Sequence, residues 1–129
     1  MAEGFPASTG DIFTAADYNG LVAFTVGAAN TTDYTAVISD AYQVLELMNK
    51  ATAIAFKIPT NASVAFPIGT VITVLNIGAG LCTISAVTSG TTTVLSAGAV
   101  AAQPTLAQYK SCALIKTGTD TWYVVGAIG

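Results

Sequence analysis

The side chains of this chain that could carry acid–base, nucleophilic or metal chemistry are few. They are the carboxylates Glu3, Asp11, Asp17, Asp33, Asp40, Glu46 and Asp120, the thiols Cys82 and Cys112, and the amines Lys50, Lys57, Lys110 and Lys116. Histidine is absent, which removes the commonest general base and metal ligand and rules out a Ser-His-Asp or Cys-His unit. The two cysteines stand 30 positions apart with no CxxC, outside the usual zinc spacings. Each falls in a segment read below as a strand, so they are either buried thiols acting as small apolar groups or a disulfide between neighbouring strands. A glycosidase needs two carboxylates facing across a cleft. Here Asp17 reads as a helix cap, Asp33, Asp40 and Asp120 as turn residues, and Glu46 as an outward strand position. There is no GxxxxGK[ST] phosphate loop, and Asn61-Ala62-Ser63 matches a glycosylation acceptor without a secretion signal to make use of it. The expectation is a protein that is not an enzyme, with no catalytic residue, no metal, no cofactor and no small-molecule substrate.

Charge is the next constraint. Charged residues make up 9% of the 129, against about 25% in ordinary soluble domains, while 53% are apolar and the net charge is −3. The 52 residues from Ile58 to Tyr109 contain no acid or base. A lone monomer of this composition has little electrostatic repulsion to keep it dispersed. Much of its surface is therefore expected to be covered by copies of itself or by a larger partner. Four lysines and no arginine are too few to displace counterions from phosphates, so no nucleic acid is expected as a partner. Thr, Ser, Asn, Gly and Pro interrupt the apolar residues too often for a spanning helix of about 20, and the short strands and sparse aromatics argue against a membrane barrel. The opening MAEGFPASTG has no basic region followed by an apolar block, which predicts a chain made in the cytoplasm, with no membrane partner.

The elements follow from periodicity. Residues 1–30 read as an extended N-terminal arm, rich in small residues, Gly and Pro, and residues 31–129 as the body. Within the arm, Thr14 followed by Asp17 resembles a capping box and Gly20 a stop, giving either a short helical turn at 15–19 or a plain turn. From Tyr34 on the signal is β. YTAVIS, QVLELMN, TAIAFKI, TVITVLNI, LCTISAV, TTTVLS, SCALIKT and TWYVVGAI are rich in Val, Ile, Thr and aromatics, and turn residues bound them. Period-two spacing puts Ile54, Phe56 and Ile58 on one face, and likewise Cys82, Ile84 and Ala86. TVITVLNI is apolar on both faces, which predicts cover on both sides, in the core or beneath a neighbouring subunit. Gly78-Ala79-Gly80 and the TGTD of 117–120 sit at hairpin-like separations and point to antiparallel connections. The predicted fold is all-β: a compact antiparallel β-sandwich or small β-barrel preceded by the arm.

Ordered along the chain are Ser39-Asp40-Ala41, Leu45-Glu46-Leu47-Met48-Asn49, Ile58-Pro59, Phe66-Pro67-Ile68-Gly69-Thr70, Gly78-Ala79-Gly80 and Asp120-Thr121-Trp122, after an opening GDIFTAADYNGLV. This series resembles a β-rich module of bacteriophage virion proteins, found in head-decoration (cement) and tail-fibre or spike proteins. The resemblance implies a non-enzymatic structural protein. A small chain with an arm suits a cement protein on the outer surface of the phage head, where such proteins are commonly homotrimers that clamp major capsid protein subunits. The arm residues Phe5, Pro6, Ile12, Phe13 and Tyr18 are then the expected contacts to the shell or to another subunit, burying apolar area at about 25 cal/mol per Å². The alternative is a tail-fibre, collar or spike component that binds a host receptor or glycan. Tyr18, Tyr34, Tyr42, Tyr109, Trp122 and Tyr123 would be its sugar platforms, although Trp122, at the start of the last strand, also reads as core.

Overall fold

A computed structural model of the chain describes residues 15, 23–98 and 101–128. Ten strands form among them: β1 (Thr25–Asn30), β2 (Tyr34–Thr35), β3 (Val44–Met48), β4 (Ile54–Ile58), β5 (Val71–Asn76), β6 (Cys82–Ala86), β7 (Thr93–Leu95), β8 (Thr105–Leu106), β9 (Lys110–Gly118) and β10 (Thr121–Gly126). They make two sheets, one of six strands in the order β1-β3-β5-β9-β10-β7 and one of four in the order β2-β4-β6-β8. The all-β expectation holds, and each of the eight predicted segments contains a strand. Through the first eight strands the chain alternates between the sheets, odd strands in the larger and even strands in the smaller.

That alternation corrects the expected strand direction. Neighbours β1/β3, β3/β5, β2/β4, β4/β6 and β7/β10 are parallel; β5/β9, β9/β10 and β6/β8 are antiparallel. The TGTD turn does join a hairpin, β9 to β10. The Gly78-Ala79-Gly80 turn does not: it carries the chain from β5 in one sheet to β6 in the other. Parallel strands require a crossover, and here a strand of the opposite sheet takes the part a helix usually plays. Both turns are short and carry glycine, so local sequence does not separate a hairpin from a crossover.

The crossovers stack. The Asn49 N–H donates to the Asn30 carbonyl at 2.8 Å, the Gly78 N–H to Met48 at 3.2 Å, and the Gly80 N–H to Lys50 at 2.8 Å. Backbone therefore lies on backbone with no room between. A Cβ on Gly80 would run into the carbonyl of Thr52, and one on Gly78 into the backbone of Lys50. Buried Asn76 fixes the same turn: its amide donates to the carbonyls of Gly80 (2.9 Å) and Leu106 (2.8 Å), and its Oδ1 accepts from the Gly78 N–H (3.1 Å). Every polar atom of this side chain is satisfied, which a fully buried amide requires.

One core lies between the sheets. Met48, Ile72, Val74, Leu114, Trp122 and Val124 of the larger sheet share it with Ile54, Phe56, Ile58, Cys82, Ile84 and Leu106 of the smaller. Phe66 packs edge-on against Trp122, ring centroids 5.5 Å apart, so the tryptophan is a core residue. Residues 25–30, assigned to the arm by sequence, are instead the edge strand β1, paired with β3. The segment YTAVIS keeps only two strand residues before a 3-10 turn at Ile38–Ala41. Of the predicted helical turn only Ala15 is described, and it is helical. Among the described residues no helix is long and apolar enough to cross a membrane.

The close backbone approach generates a stability prediction. Gly80→Ala lowers the free energy of unfolding in urea by about 3 kcal/mol, because rigid backbone must move. Gly69→Ala, at positive φ but in open space, costs about 1 kcal/mol.

Candidate functional site

Three arrangements stand out: two buried polar clusters and one uncharged sheet face. The first cluster surrounds Glu46. Alternation along β3 turns Leu45 and Leu47 outward and Glu46 inward, where it is 6% exposed. This corrects the expected outward position. The acid starts an alternation from the other side of the pleat, and only the tertiary fold decides which side is wet. The 3-10 turn packs against β3 and brings in Asp40, 1% exposed. Asp40 Oδ2 accepts from the Tyr34 hydroxyl at 2.8 Å and from the Val37 N–H at 2.9 Å, while Asn30 Nδ2 donates to Glu46 Oε1 at 3.1 Å. Burial, and then the hydrogen bond with the neighbouring Asp40 carboxyl, push Glu46 up to about 7, with Asn30 acting in the opposite direction. Burial and the same Asp40 raise Tyr34 well above the usual phenol range.

The second cluster surrounds Lys116, an inward position of β9 that is 2% exposed. Its Nζ donates to Asn61 Oδ1 at 2.6 Å and to the Phe66 carbonyl at 2.7 Å. Asp120, in the β9–β10 turn, accepts from the Asn61 N–H at 2.8 Å and from Thr92 Oγ1 at 3.2 Å, so it ties the loop after β4 to the last hairpin. Burial lowers the Lys116 amine, and the charge of Asp120 partly offsets this. The sequence contained this cluster without displaying it: Asn61 and Lys116 are far apart along the chain, and a lone lysine in a strand reads as solvated.

The third arrangement is the outer face of the six-stranded sheet. Register aligns Leu95, Tyr123, Ile115 and Val71 in one row across β7, β10, β9 and β5. A second row runs Val125, Ala113, Thr73, Leu45 and Val26. A third holds Ser111, Leu75, Leu47 and Ala29. No charged residue stands in these rows. Val26 is 62% exposed, and Val71, Tyr123 and Val125 are 44–47% exposed. TVITVLNI is apolar on both faces because β5 has the core on one side and this surface on the other.

The remaining candidates distribute as follows. Cys82 and Cys112 are free and buried, and burial pushes them up to about 11 and about 12, so both are protonated, inert thiols. Among the described residues no three acidic, cysteine or histidine side chains gather as metal ligands. Asp33 accepts from the Ala55 N–H at 3.0 Å and lies 3.9 Å from Lys57 in an exposed pair of small energetic weight. The predicted arm contacts Phe5, Pro6, Ile12, Phe13 and Tyr18 lie outside the described residues. Tyr42 and Tyr109 are well exposed but flank opposite ends of the sheet strands, while Trp122 and Tyr34 point inward, so these aromatics form no common platform. Compared with known proteins, the chain matches no family model, no curated protein and no solved structure.

The Glu46 cluster predicts a pH dependence. The unfolded chain loses this proton near 4.5 and the folded chain near 7, so the folded state binds more protons in between. Stability is greatest below about pH 4.5 as far as this group is concerned, falls as pH rises to about 7, then levels off, a change on the order of 3 kcal/mol. Glu46→Gln keeps the shape and removes the titration. Its melting temperature matches wild type at pH 5 and exceeds it at pH 8 in thermal scans.

Proposed function

We propose that this chain is a non-enzymatic structural protein that works by covering, and being covered by, other protein subunits. The observation that carries the reading is the outer face of the six-stranded sheet, three aligned rows without a charge. Thirteen residues in these rows, each covering a strand spacing of about 4.8 Å by a two-residue repeat of about 6.6 Å, give that face an area of roughly 400 Å². A patch of about this size matches the largest apolar patch of an ordinary monomer, a surface that is often functional.

The specific form of the proposal is a bacteriophage head-decoration protein: a two-sheet sandwich with an N-terminal arm, self-associated as a homotrimer and bound to major capsid subunits on the outside of the virion. Its support is the ordered series of sequence elements together with the low charge. A stable interface needs about 800 Å² per partner, about twice what the sheet face supplies. The arm residues Phe5, Pro6, Ile12, Phe13 and Tyr18 are proposed to supply the rest. Three arms on one trimer act at high effective concentration, which offsets the entropy of ordering each. The tail-fibre or spike reading draws on exposed tyrosines, and their scattered placement favours it less.

The test places charge in the rows without touching the core. Tyr123→Lys with Val125→Lys alters the unfolding free energy by about 1 kcal/mol or less, because both side chains face outward. Wild type is expected to sediment as an oligomer and to be retained on purified heads, and the double variant to sediment as a monomer and wash off. A wild-type protein that stays a dispersed monomer and leaves heads unbound would overturn the proposal.

A further inference from the structure

The Lys116 cluster holds more chemistry than a structural pin needs. A buried amine meets a carboxamide, and a carboxylate is held on the backbone N–H of the same asparagine, with Phe66 and Trp122 packed edge-to-face alongside. Lys116 Nζ lies 2.6 Å from Asn61 Oδ1. The carbonyl carbon is one C=O bond of about 1.23 Å further on, which places it roughly 3.4 Å from the nitrogen at an ordinary hydrogen-bond angle. That separation falls in the range of a near-attack geometry, about 3–3.5 Å. The second acceptor of the amine, the Phe66 carbonyl at 2.7 Å, holds it in place. Asp120 Oδ1 accepts from the Asn61 N–H at 2.8 Å, so the carboxylate is fixed on the residue that would react.

We propose that Lys116 and Asn61 form an intramolecular isopeptide bond, with Asp120 carrying the proton. Asp120 stands farther than 4.0 Å from the Lys116 amine, so a rotation of its side chain brings it to the ammonium, where it takes a proton and leaves a neutral amine and a carboxylic acid. Rotation of the Asn61 amide about its Cβ–Cγ bond converts the in-plane hydrogen bond into approach over the carbonyl face. The Nζ lone pair then attacks Cγ, forming the new C–N bond. As the tetrahedral centre collapses, the Cγ–Nδ2 bond breaks, and Nδ2 leaves as ammonia with one proton from Nζ. The ammonia takes the proton of Asp120 and departs as ammonium. No oxidant, metal or other reactant is required. Desolvation activates lysine as a nucleophile elsewhere in enzyme chemistry, and the direction of the Lys116 shift is consistent with it.

The bond would close a ring from the loop after β4 to β9, locking that loop to the last hairpin. It is independent of the capsid reading, because it asks only for the folded chain.

The experiment is the intact mass of the purified full chain, followed by tryptic mapping. The expected mass is below that of the sequence by one ammonia. Trypsin can cut after Lys50, Lys57, Lys110 and Lys116. With Lys116 acylated, the segment 111–129 stays whole and is joined to 58–110 as a branched peptide. Asn61→Ala and Asp120→Asn are each expected to show their full sequence mass, free cleavage at Lys116 and lower resistance to urea, with circular dichroism verifying the fold. A wild-type chain that keeps its full mass after prolonged incubation in the folded state overturns the proposal, whatever the variants do. Ammonia lost without the branched peptide, as from a succinimide, overturns it equally. A crosslinked Asp120→Asn protein removes Asp120 from the mechanism.

Discussion

Everything in this fold rests on the contact between stacked crossovers, where the backbone of 77–81 lies directly on that of 49–53 and Asn49 bonds in turn to Asn30. Those bonds set the register of the parallel neighbours in both sheets at once. Moving the upper crossover by one residue would turn the inward sets of β5 and β6 to the other face, exposing Ile72, Val74, Cys82 and Ile84. Glycine at 78 and 80 is what allows the approach, and Asn76 holds it from within the core. The winding also decides which residues become neighbours. It brings Asn30 to Glu46 and Asn61 to Lys116, pairs that sequence distance keeps apart.

What the sequence made legible was the local part of this arrangement. Alternation identified Ile54, Phe56 and Ile58, and also Cys82, Ile84 and Ala86, as inward sets; the first five are buried and Ala86 packs against the core. Trp122 read as core and is core. Strand direction was not legible, because Gly78-Ala79-Gly80 suits a hairpin and a crossover equally. β1 was missed because TVGAAN has two alanines and a glycine and little β signal of its own; pairing with β3 holds it. The burial of Glu46 and Lys116 was hidden for a different reason. A charged residue in an alternating strand is assigned to solvent by default, and that default fails where a partner from a distant segment satisfies it.

Those buried groups sharpen the meaning of the low charge. The chain carries 11 acidic or basic residues, and Asp40, Glu46 and Lys116 among them are nearly inaccessible. The exterior is therefore poorer in charge than composition alone indicates. Burying ionisable groups is unfavourable unless geometry compensates. Here compensation differs between the clusters: Glu46, pushed up to about 7, is relieved below that pH by holding its proton, Lys116 by two acceptors and a nearby carboxylate.

The two clusters and the sheet face are connected by the same strands. β3 and β9 each carry a buried ionisable residue on the inner face and uncharged residues on the outer one, with β5 between them. On the proposed reading of this face as a docking surface, its chemistry offers no ionic means of choosing a partner, so selectivity would come from shape, and shape requires a sheet that does not deform. Hydrogen bonds from Asn30 to Glu46, from the Asn61 N–H of the loop after β4 to Asp120, and from Lys116 to Asn61 each fasten a segment to the back of that sheet. On that proposal, the polar groups placed inside serve to keep the outer face in one conformation.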